Sequence, residues 1–68
     1  MAYTNVNFKT KKALKQAVKD GEGITVFQPG LGDVPANGNI AIEGPHYPQP
    51  HTWYGMARME NGLIKSVR

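Results

Sequence analysis

Apolar residues recur at helical spacing in one stretch of this chain. Between Thr10 and Gly21, the residues Ala13, Leu14, Ala17 and Val18 fall at i, i+1, i+4 and i+5, on one face of a helix. Thr10 has N-cap chemistry and Gly21 suits the position after the last helical turn. The pattern predicts a helix over about residues 10–20, with Phe8 able to fold back on Leu14 as a loose hydrophobic staple.

Elsewhere the period is two. Ile24-Thr25-Val26-Phe27-Gln28 is β-branched and aromatic, with Ile24 and Val26 on one face and Thr25 and Phe27 on the other. The segment from Pro29 to Gly38 is crowded with turn residues and reads as a loop ending in an Asn-Gly turn. Asn39 to Glu43 alternates again, Ile40 and Ile42 inward and Asn39, Ala41 and Glu43 outward. Prolines at 45, 48 and 50 then predict an extended, polyproline-like loop. Thr52 to Glu60 and Leu63 to Val67 read as a hairpin about Asn61-Gly62. A two-residue turn sets Met59 opposite Ile64, Met56 opposite Val67, and Arg58 opposite Lys65, a like-charge clash; a bulge would shift that register. Tyr3 to Asn7 is open as a short edge strand.

The expected fold class is therefore α+β, one domain spanning residues 1–68, with one N-terminal helix packed on a three- to four-stranded antiparallel β-meander. Phe8, Leu14, Ala17, Val18, Ile24, Val26, Ile40 and Ile42 are the expected inward residues. A sheet covered on one side leaves Thr25, Phe27, Ala41, Glu43 and an alternating set from the hairpin on the other, which suits a partner or a second copy.

Size sharpens that point. A chain of 68 residues buries only about 60% of the surface its unfolded form exposes, and small folds commonly add a staple. With no cysteine, disulfides and thiolate zinc sites are excluded, so a homo-oligomer, a two-fold dimer first, is the expectation. The absent cysteines, the lack of a membrane-length apolar run and a start without signal-peptide character point to a soluble protein of a reducing cytoplasm.

The net charge is +3, but Lys9, Lys11, Lys12, Lys15 and Lys19 lie together with no acid among them. Such a cluster marks either a solvated face or the footprint of an anionic partner. Lys11 and Lys12 occupy the first helical turn, where the dipole disfavours cations; with Lys9 and the free amides they could seat a phosphate.

Catalytic motifs are not evident. Gly30-Leu31-Gly32 lacks the glycine pattern of a dinucleotide loop, and Ser66, the single serine, sits near the end of a strand. The segment from Glu43 to Tyr54 stands out instead. It gathers His46, Tyr47, His51, Trp53 and Tyr54 on a proline-stiffened stretch, offering rings for stacking and imidazoles for a phosphate or carboxylate. As a metal site the segment offers His46, His51 and Glu43, but two imidazoles without a convincing third ligand make a poor one. The same residues could be structural, with one of the Trp53 and Tyr54 rings in the core.

The runs Asn7-Phe8-Lys9-Thr10-Lys11-Lys12-Ala13-Leu14-Lys15, Thr25-Val26-Phe27-Gln28-Pro29-Gly30 and Glu43 through Tyr54 resemble a class of short uncharacterised proteins from bacteriophages and prophages. The resemblance implies a setting, the cytoplasm of an infected bacterium, and carries no activity or site residues. The expected function is a non-enzymatic binding protein, a phage-encoded modulator that engages a host protein or sequesters an anionic small molecule. A nucleic-acid binder using the lysine-rich helix is the alternative, and its affinity would fall steeply with salt. His46, Tyr47, His51, Trp53, Tyr54, Lys9, Lys11 and Lys12 are the expected contact residues. If the imidazoles face a ligand, replacing both with alanine should abolish binding and spare the thermal midpoint.

Overall fold

A computed structural model describes residues 2–28, 32–46 and 48–68. The helix forms where the spacing places it, as α1 (Lys11–Lys19). The Thr10 hydroxyl accepts the Ala13 amide at 3.1 Å. At the other end Gly21 N–H donates to the Val18 carbonyl and Glu22 N–H to that of Ala17, the paired bonds of a Schellman ending. Leu14 and Ala17 are buried, Val18 is half-buried, and Ala13 faces solvent.

Five strands accompany the helix: β1 (Tyr3–Thr4), β2 (Val26–Phe27), β3 (Gly38–Gly44), β4 (Trp53–Glu60) and β5 (Leu63–Val67). They form two antiparallel sheets, one of order β3-β4-β5 and one of order β1-β2. The expected meander is thus divided, because the segment around Val26 pairs with the N-terminal strand, Tyr3 opposite Phe27 and Thr4 opposite Val26. Backbone bonds nevertheless join the sheets at both edges. Ala2 bridges Ile42 in parallel, donating to Ala41 O and accepting from Glu43 N, and Ile64 N–H donates to Ile24 O. Both free edges of the three-stranded sheet are thereby engaged, which removes a template for unwanted pairing.

The hairpin turn is the two-residue form, with Asn61 at φ 54° and Gly62 at φ 82°, as a type I′ turn requires. Met59 faces Ile64 as the sequence predicts. A bulge then inserts Lys65, so that Arg58 faces Ser66 and Ala57 faces Val67. The Arg58–Lys65 clash is thereby avoided, and Met56 exchanges backbone bonds with Arg68 in place of facing Val67. A side chain at Gly62 would have to adopt a left-handed conformation costing about 1–2 kcal/mol. Gly62→Ala should lower stability by about 1 kcal/mol, a fall of ~4–8 °C in Tm for a domain of this size; an unchanged Tm would contradict the turn assignment.

All the expected inward residues belong to the core or pack against it, together with Ala2, Trp53, Ala57, Met59 and Ile64. α1 lies nearest β5 and β4. The loop after β3 differs from its prediction. Gln49 N–H donates to His46 O and Thr52 N–H to Gly44 O, so the prolines stiffen a loop that folds back on itself instead of running extended. Among the described residues no helix is long and apolar enough to cross a membrane.

Candidate functional site

The pairing registers assemble one row of outward side chains across four strands. Tyr3 and Phe27 are direct cross-strand partners, as are Glu43 and Tyr54, and such partners share a face. The Ala2–Ile42 bridge sets the next residue of each strand, Tyr3 and Glu43, side by side. The row reads Phe27, Tyr3, Glu43, Tyr54.

Over this row lie the two imidazoles of the folded loop. The His51 ring is 5.5 Å and the His46 ring 5.3 Å from that of Tyr3, and His46 stands edge-on to Phe27 at 5.7 Å. Tyr3 and Phe27 themselves are 5.8 Å apart. These separations lie within the range favoured by offset and tilted aromatic pairs.

Hydrogen bonds fix the tautomers. His51 Nδ1 is 2.7 Å from Glu43 Oε2, and a carboxylate only accepts, so Nδ1 carries the proton. In the neutral ring Nε2 then accepts the Tyr3 O–H, at 3.0 Å. His46 Nε2 is 2.8 Å from the Thr4 carbonyl and therefore donates to it, while the His46 amide donates to Asn7 Oδ1 at 2.8 Å. Together these bonds fasten the loop to the N-terminal strand. Among the described residues no buried side-chain polar atom lacks a partner.

Glu43 is not a solvated carboxylate. Its side chain does point outward from β3, but the loop covers it, leaving it 8% exposed. An acid–base pair, Glu43–His51, is thus present where the sequence shows two unrelated residues. Both His51 ring nitrogens are engaged, an arrangement suited to holding the Tyr3 phenol in one orientation.

Of the expected contact residues, His46 and His51 converge on the row and Tyr54 ends it. Tyr47 lies outside the described residues. Trp53 is a core residue: it points inward, 7% exposed, donates Nε1–H to the Phe8 carbonyl at 3.0 Å, and lies over Gly44. The glycine facing it across β3 and β4 is the sequence signal that could have assigned Trp53 inward. Lys9 and Lys12 are exposed and Lys11 half-buried, its stem along Gly55. Among the described residues no hydrogen bond, ion pair or ring contact ties these lysines to the imidazole cluster. Tyr3 is the site residue that sequence reasoning missed; Phe27 and Glu43 were expected on the outward face, without their contacts to the imidazoles.

Apolar exposure continues from the row. Tyr54 is 53%, Phe27 44% and Met56 41% exposed. Met56 follows Tyr54 on the outward face and Arg58 follows Met56. Among the described residues no cluster of three metal-ligating side chains occurs. No protein-family model, curated protein or solved structure matches the chain.

Proposed function

We propose that this chain is a non-enzymatic binding protein, a phage-encoded modulator acting in the bacterial cytoplasm, that engages a host protein through the outward face of β2, β1, β3 and β4. The helix laid on the meander serves as its scaffold. The observation that carries the reading is the row Phe27–Tyr3–Glu43–Tyr54 with Met56 and Arg58 beside it. Aromatic residues, Met and Arg are the types enriched in protein interfaces, and those that dominate binding are rings held still before contact. Tyr3 is held by His51, and His51 by Glu43, so the row loses little side-chain entropy on docking. The exposed ends of that face, Phe27 at one side and Tyr54 with Met56 at the other, also fit a macromolecular partner better than an enclosed small ligand.

A second copy of the chain is a further candidate for the same face, in keeping with the thin core. Sedimentation at micromolar concentration separates the two occupants. The test of the function is co-purification from bacterial lysate with wild-type protein and with Tyr54→Ser/Met56→Ser, whose side chains are exposed. A host protein retained by wild type and reduced about tenfold or more in the double variant, as expected for loss of two central contacts, supports the reading. Equal retention by both, with both folded, refutes it.

A further inference from the structure

A second surface, sharing no residue with the aromatic row, lies where α1 meets β5. A cleft of about 280 Å³ is lined by Lys15, Val18, Lys19, Lys65, Ser66 and Val67. Three lysines from two elements line it beside two valines, and among the described residues no acidic side chain does.

Each lysine reaches the cleft for a structural reason. Lys15 and Lys19 are one helical turn apart and share a face. Lys65 is the residue inserted by the β5 bulge. In an unbulged hairpin it would face Arg58; with the bulge, Ser66 takes that place and Lys65 turns toward α1. Bulges commonly re-aim a side chain in this way.

Two acids stand nearby: Asp20, next after Lys19, accepts a hydrogen bond from Gln16 Nε2 at 2.9 Å, and Glu60 lines the adjoining cleft with Lys65. No carboxylate among the described residues is ion-paired with Lys15, Lys19 or Lys65. Lys15 and Lys19 are like charges at i, i+4 and repel, a local cost that a bound anion would offset.

We infer that this cleft binds a small polyphosphate, an anion with two or more phosphoryl groups. Lysine ammoniums are point-charge partners for phosphoryl oxygens. A single monoanion would leave the three cations under-neutralised, whereas a diphosphate or triphosphate chain spans them.

Isothermal titration with inorganic triphosphate tests this on the intact protein. Saturable binding is expected for wild type, at least about tenfold weaker binding for Lys15→Gln/Lys65→Gln, each such contact being a charge-assisted one, and a loss of no more than about threefold for Lys9→Gln/Lys12→Gln, where only the general field changes. Circular dichroism of each variant confirms that the fold is retained. Equal weakening in the two double variants, or no saturable binding at millimolar triphosphate, overturns the proposal. So does an outcome in which a single-stranded oligonucleotide binds through Lys15 and Lys65, with steep salt dependence, while triphosphate does not; the cleft would then serve a nucleic-acid backbone.

Discussion

Gly44→Ala is expected to remove a large share of the folding stability of this protein. A Cβ at position 44 would lie 2.4 Å from Trp53 Cζ2, 2.5 Å from Cε2 and 2.7 Å from Nε1. The indole cannot retreat freely, because it is buried in the core and its N–H is bound to the Phe8 carbonyl. Overpacking of this kind costs about 1–3 kcal/mol, and displacing the ring far enough to break the hydrogen bond adds about 1 kcal/mol. A domain of this length holds on the order of 3–10 kcal/mol in total. Urea unfolding should therefore show a much lower midpoint with an unchanged slope. Adding Trp53→Phe to Gly44→Ala should recover part of the loss, since the smaller ring relieves the clash, giving a double variant less damaged than the two single effects added. A Gly44→Ala protein as stable as wild type would mean that Trp53 does not pack as described.

The double variant His46→Ala/His51→Ala is expected to be destabilised by about 2–3 kcal/mol. Three side-chain hydrogen bonds are lost, His51 to Glu43, His51 to Tyr3 and His46 to the Thr4 carbonyl, each worth about 1 kcal/mol, with more where a buried partner is left behind. This reverses the expectation drawn from sequence, in which the imidazoles face a ligand and the thermal midpoint is spared. The geometry makes them the fastening between the loop and the N-terminal strand. By linkage through Tyr3, loss of His51 should also loosen the row proposed to dock a partner. Thermal unfolding of the double variant decides between the two roles: an unchanged Tm would return the imidazoles to the surface, free for a ligand.

Local elements were legible in the sequence because their causes are local. The helix follows from the spacing of Leu14, Ala17 and Val18 and from its caps, and the hairpin from Asn61-Gly62 between alternating residues. The bulge was readable only as a conflict, the Arg58–Lys65 clash, which the structure resolves by inserting Lys65. The site was less legible because its contacts are remote. Tyr3 and His51 are 48 residues apart, and nothing in the polar stretch around Tyr3 announces that it will lie beside β3. Alternation correctly directs Glu43 outward, but it cannot show that the loop after β3 turns back over the carboxylate. Trp53 and Tyr54 were interchangeable until the register set one against Gly44 and the other against Glu43.

The central claim is that the outward face of β2, β1, β3 and β4 is where a host protein docks. Photo-crosslinking tests it most directly, with p-benzoylphenylalanine placed in turn at Phe27, at Tyr54 and, on the helix, at Lys12, in bacterial cells producing the protein. The account predicts one and the same host protein crosslinked from positions 27 and 54 and absent from position 12. A host protein captured from position 12 alone, or none from positions 27 and 54, would contradict it.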